Sequence, residues 1–250
     1  MAPETFVHVN RDRRNLLRDS LALSVALGTT SVPIIGEAIR KSSATEKQDK
    51  EPEVSATEDL MREHGVIRRA LLVYIETVPK LRQNASNVNP AALRQTAQLF
   101  RTFGEDYHEK LLEEQHIFPV IREHGGELHR YADILTDQHK RGREITDYVL
   151  AVTNASKVST GHAEPLANVL EGLLMYQNHA AREDTIVFPA WKKKFTDKQL
   201  DEIADQFEDI EHKMFGNDGF QDAEKKIAGI EAELGLTDLA QFTPPPPPTP

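Results

Sequence analysis

Apolar side chains recur along most of this chain at the three-to-four-residue spacing of helices, and no stretch reads as a strand. Leu60, His64, Ile67, Leu71, Tyr74 and Val78 share one face of a helix predicted over 57–82, which turns His64 inward. Ser55 to Glu58 fits a capping box ahead of it, with Thr57 as a rival cap, and Pro79 is expected to bend or fray its far end. A second helix opens at Asn89-Pro90, an N-cap residue followed by a proline suited to the first helical position, and runs to residue 124, where Gly125-Gly126 stops it. A third covers 128–153, with His139 near its middle. After a polar loop at 154–164, Glu164-Pro165 opens a fourth that continues to residue 194. Thr196 to Gln199 marks another capping box, for a fifth helix reaching 214, and the turn GNDG (216–219) precedes a last amphipathic helix at 221–234. Four long helices with short connections predict an all-α protein, an antiparallel up-down four-helix bundle with one or two extra C-terminal helices.

The flanks read differently. Residues 39–56 form a polar linker, and the predicted bundle spans 57–235. Residues 236–250 form a proline-rich tail ending in TPPPPPTP, a polyproline II segment that serves as a spacer, a disordered tail or a docking peptide for a protein partner. Residues 1–38 have the form of an export leader: RDRRNLLR (11–18), then a weakly apolar, small-residue run from Ser20 to Ile35. Arg13-Arg14 with Leu16 and Leu17 resembles the twin-arginine signal, which implies a periplasmic or otherwise exported protein. Asp19 and Pro33 argue against a stable membrane span, no clean Ala-x-Ala site follows, and Glu4, Asp12 and Asp19 count against a mitochondrial leader.

The bundle region repeats itself. EEQHIFP (113–119) and EDTIVFP (183–189) each carry an acidic pair, a β-branched residue and Phe-Pro, the first acid six residues ahead of the proline. LMREHGVIRR (60–69) and LTDQHKRGRE (135–144) each place a Leu four residues before a His and an Arg four after it. This is an internal duplication of a helix pair.

Composition narrows the chemistry. A net charge of −10 over 250 residues argues against a nucleic-acid partner. With no cysteine, disulfides, thiolate metal sites and cysteine nucleophiles are excluded, so any metal must be held by nitrogen and oxygen, which suits iron, manganese or zinc. His179 and Glu183, four residues apart, lie one turn apart on one helix face and can share one metal ion. Alone such a pair is commonly a solvated surface pair. In an up-down bundle, however, His64, His108 to Glu113, His139 and His179 to Glu183 reach similar heights, and inward carboxylates at that level call for a compensating cation.

The pattern over 57–215, above all His179-x-x-x-Glu183 and the two Phe-Pro dipeptides, resembles the hemerythrin-like, His-His-Glu cation-binding family. The resemblance implies a four-helix bundle holding two iron ions, bridged by carboxylates and an oxo or hydroxo group, with an open position for dioxygen; manganese or zinc is the lesser alternative. It implies His64, His108 with one acid of the second helix, His139, and His179 with Glu183 as ligands.

The chain departs from the family pattern at three places. Four residues beyond His108 stands Leu112, and the acid matching Glu183 is Glu113, five beyond; one inserted residue in a π-bulge explains this, with Glu109 and Glu114 as rivals. Four beyond His139 stands Arg143, where the family's oxygen carriers have a second His. Glu208 and His212 share a face of the fifth helix, and His212 is the candidate replacement ligand. The Glu-x-x-His pairs Glu105/His108 and Glu113/His116 invite a ferritin-like reading, but both lie on one helix where that motif needs two. His8, His116, His124, His129 and His162 are expected at the surface or termini. Tyr107 and Tyr176 flank the ligand set, as core or as partners of bound oxygen, and Phe118 and Phe188 are expected to exclude water. Three functions stay open: a di-iron protein binding or sensing dioxygen, nitric oxide or peroxide; an oxidase or peroxidase on the same centre; or a metal store or adaptor.

Overall fold

The computed structural model describes residues 54–216 and 218–248. The leader at 1–38 and nearly all of the 39–56 linker lie outside them. Every regular element among the described residues is helical. Helix α1 spans Ala56–Asn84; Ser55, rather than Thr57, caps it by accepting from Glu58 N–H, and it runs through Pro79 to a short 3₁₀ turn at Ala85–Asn87. Helix α2 is a rod over 90–122 in three parts: an α-helix at Pro90–Leu99, capped by Asn89; a π-helical stretch at Phe100–Ile117; and an α-turn at Phe118–Arg122. Gly125 and Gly126, with φ of 68° and 60°, take the left-handed backbone that reverses the chain into α3, Gly126–Val152.

Helix α4 covers 160–192 in four parts: Thr160–Gly172, Met175–Arg182, a π-turn at Glu183–Val187, and Phe188–Lys192. It begins at Thr160, one turn ahead of the predicted Glu164-Pro165 start, so Pro165 sits inside the helix. Shorter-range bonds at its middle, Leu174 N–H to Glu171 and Tyr176 N–H to Leu173, tighten the chain just before His179. Helix α5, Asp197–Phe215, opens on the Thr196/Gln199 capping box; helix α6, Gly219–Leu234, opens on Asp218.

The two π segments end alike. Proline has no N–H, and its ring crowds the carbonyl four residues back. Just ahead of Pro119 and Pro189 the last turn is one residue wider, with Phe118 and Phe188 N–H bonded to Glu113 and Glu183, five residues back.

Helix α1 packs along the first part of α4, and α3 along the π stretch and last turn of α2. α6 covers the start of α2 and touches α1, while α5 lies on α1 and the π stretch. Trp191, Phe118, Phe188, Phe100, Phe103, Tyr74 and Leu60 form a fully buried apolar core. Among the described residues no helix is long and apolar enough to cross a membrane.

Candidate metal centre

Six of the seven sequence-predicted site residues meet at one level of this core. His64 comes from α1, His108 and Glu113 from α2, His139 from α3, and His179 and Glu183 from α4; all are at most 4% exposed. They form two clusters: His64 and His108 group with Glu113 and are approached by Glu183 at His64 alone, while Glu113, His139, His179 and Glu183 make a compact group of four. In the first, His64 Nε2 and His108 Nε2 stand 3.0 Å apart, with Glu183 Oε2 3.4 Å from one and Glu113 Oε1 3.3 Å from the other. In the second, His139 Nε2 and His179 Nε2 stand 3.1 Å apart, with Glu113 Oε2 3.3 Å and Glu183 Oε1 3.0 Å away. Each carboxylate thus gives one oxygen to each cluster. The π geometry of α2 lets Glu113, five residues past His108, take the place that Glu183 holds four residues past His179.

The far nitrogen of every imidazole is pinned. Nδ1–H donates from His64 to Asp184 (2.6 Å), from His108 to Glu63 (2.6 Å), from His139 to Glu114 (2.9 Å) and from His179 to Gln138 (2.8 Å). Each bond crosses to another helix, and together they close a ring: α1 to α4, α4 to α3, α3 to α2, α2 to α1. Arg68 holds Asp184, and Arg143 holds Glu114 at 2.7 Å, so the arginines four residues after His64 and His139 do equivalent work. Phe188 stacks on His64 and Phe118 on His139, with ring centroids 5.5 and 5.4 Å apart.

This arrangement fits a pair of metal ions. With Nδ1 carrying the donated proton, each imidazole in its neutral form would present a bare lone pair on Nε2. Both oxygens of Glu113 and of Glu183 are buried without a hydrogen-bond partner. Four lone pairs and two carboxylates facing one another in a dry core require cations. Ligands about 2.1 Å from one ion and at right angles stand about 3.0 Å apart, close to the nitrogen pairs seen here. Without metal the only available cations are protons. Burial pulls the His139 imidazole down, but Glu109, Glu113 and Glu114 outweigh it and lift it to about 10. His64 and His108 are raised against the same burial, by Asp184 and Glu183 and by Glu113 and Glu63 respectively. Burial pushes Glu183 and Glu113 up, yet the facing histidines hold both below the usual carboxylate range, Glu183 well below it.

The second-helix acids separate cleanly. Glu114 pins His139, and Glu109 accepts from the Tyr176 hydroxyl at 2.7 Å, so of the three only Glu113 faces both clusters. Tyr107 donates to Glu63 at 3.1 Å, so both tyrosine hydroxyls are engaged by carboxylates. The expectation for His212 is corrected. The buried stripe of α5 runs through Leu200, Phe207 and Glu211, which leaves Glu208 and His212 half-exposed beside it, outside the His/Glu groups. Arg143, where a further histidine was sought, instead pairs with Glu114 and Glu109. His124, His129 and His162 are exposed, and His116 is half-buried against Phe207.

Sequence reasoning did not assign Glu63, Gln138 or Asp184. Their signal was the duplication: Glu63 and Gln138 each precede the lone histidine, and Asp184 and Glu114 each follow the first acid of the repeated pair. Gly142 was also missed. A Cβ there would lie 1.9 Å from the Tyr176 hydroxyl, so only glycine lets that tyrosine pass α3 to reach Glu109.

The chain is 42% identical over 240 residues to an uncharacterized protein of Mycobacterium bovis and to uncharacterized proteins of two Mycobacterium tuberculosis strains, an overlap covering 93% of this chain and 91% of each relative. No solved structure matches it. Residues 55–191, which carry all six converging side chains and the four groups that pin the histidines, match the hemerythrin HHE cation-binding domain, and the chain belongs to that family.

Proposed function

We propose that this protein is a non-haem di-iron protein that binds or senses dioxygen or a related small molecule, such as nitric oxide or peroxide, within an up-down bundle formed by α1 to α4. The observation that carries the reading is the convergence of four imidazole Nε2 atoms on two buried carboxylates without hydrogen-bond partners. His64 and His108 would hold one ion, His139 and His179 the other, and Glu113 and Glu183 would span both. Iron held there would supply a redox-active centre for the small molecule. The protein's own part is to orient the imidazoles through Asp184, Glu63, Glu114 and Gln138, and to keep water away with Phe118 and Phe188. Among the described residues each ion would be offered two histidines and the shared carboxylates, which would leave room for an exogenous ligand. On the Arg13-Arg14 pair we place the protein outside the cytoplasm, and changing both arginines to lysine is expected to abolish export.

The test is metal analysis joined to an optical spectrum, on protein purified in air and again after reduction. Two irons per chain, with near-ultraviolet bands that vanish on reduction and return with oxygen, are expected. Iron whose bands do not return would shift the reading to peroxide or iron oxidation. Zinc alone, or a folded protein that takes up no metal, would leave a structural or adaptor role.

A further inference from the structure

The duplication makes the two halves of the centre nearly equivalent. His64 and His139 are each pinned by an acid, each acid is held by an arginine, and each imidazole is covered by a phenylalanine. The second histidine of each half breaks the match. His108 donates to a carboxylate, Glu63, whereas His179 donates to a neutral amide, Gln138. Glu63 is 1% exposed; one oxygen takes the His108 proton at 2.6 Å and the other takes the Tyr107 hydroxyl at 3.1 Å, so its charge is directed at that one imidazole. No such charge reaches His179.

Glu109 adds negative charge at His139 but gives the His179 Nδ1 no acceptor. It lies nearer the other half, but its Oε2 is 3.9 Å from His139 Nδ1, beyond hydrogen-bond reach. That oxygen is faced by the Arg143 guanidinium at 3.3 Å, and Tyr176 donates to its partner oxygen.

A carboxylate accepting the Nδ1 proton makes the opposite nitrogen a stronger donor and adds negative charge close to the ion, while an amide only orients the ring. We propose that the two cation positions are unequal: the His64/His108 position fills first and binds more tightly, and Glu63 is the positioning residue that sets the difference through His108. This rests on the two-ion reading above.

The experiment titrates redox-inert zinc into the metal-stripped protein against a competing chelator, with one-equivalent crystals read by anomalous scattering. Wild type is expected to bind two zinc ions in two steps, and the first equivalent is expected between His64 and His108. Glu63→Gln is expected to weaken that first step about 10- to 100-fold and spread one equivalent over both positions. Gln138→Glu is expected to strengthen the second step, a gain that a merely damaged structure does not produce and that keeps the test open if Glu63→Gln folds poorly. Two zinc ions bound in a single step, or first-step affinity unchanged in Glu63→Gln, would overturn the inequality and leave the two-ion reading standing. A folded wild type that binds no zinc would overturn both.

Discussion

Glu113 and Glu183 each bury a complete carboxylate at 0% exposure, and none of the four oxygens of the pair has a hydrogen-bond partner. An ion that bridges them turns that cost into binding. Removing one imidazole of the set leaves such an ion with a missing ligand and a carboxylate still buried. His179→Ala is therefore expected to lower metal content sharply, while His129→Ala, an exposed residue outside the clusters, is expected to leave it unchanged. Metal analysis on the two purified variants decides it; equal retention would undo the ligand assignment. By the same reasoning Glu113→Ala should cost more metal than Glu109→Ala, because Glu109 serves Tyr176 and Arg143.

Among the elements, α3 and α4 come into close contact where Gly142 lets Tyr176 through. Gly142→Ala puts a methyl group on the hydroxyl, so Tyr176 must leave Glu109 or the helices must part. The expected cost is about 1–3 kcal/mol, read from chemical denaturation. The helices themselves were largely legible in the chain, because Ser55, Asn89 and Thr196 are strong caps and the apolar spacing is regular. The π stretch of α2 was legible too, since it changes the His-to-Glu count from four to five. The π-turn of α4 was not: it begins at Glu183, after the ligand pair, and leaves that count unaltered. Glu63, Gln138 and Asp184 escaped notice because their work is done on a neighbouring helix, and a side chain that serves a neighbour carries no periodic mark of its own. His212 misled for the opposite reason: its spacing from Glu208 was right, but the apolar stripe of α5 lies on a different face.

For the whole molecule, the metal-stripped and loaded forms should answer pH in opposite ways. In the stripped protein His64, His108 and His139 are raised above their ordinary 6.5. The stability they contribute is fully present below pH 6.5 and is lost as pH climbs toward the value of about 10 at His139. Burial also lifts Glu105 and Glu109 to about 7, and their ionisation costs stability in the same direction, between 4.5 and 7. Metal replaces those protons, so its hold strengthens as pH rises. Thermal melts between pH 6.5 and 9 are expected to show Tm falling for chelator-treated protein and holding or rising for the loaded protein. Parallel curves would mean that the cluster does not govern stability.

The ring of side-chain bonds from helix to helix has a kinetic consequence. Each bond of the ring joins two protein groups, so each imidazole is expected to be oriented before an ion arrives. An arriving ion then meets a finished socket and need not draw the helices together around itself. Uptake is expected to be a fast, single-phase process limited by shedding of the ion's hydration water, with no slow conformational phase behind it. Cutting the ring at one link, as Asp184→Ala does, should slow loading before it changes how much metal is finally held, because one wall of the socket must then be assembled during entry.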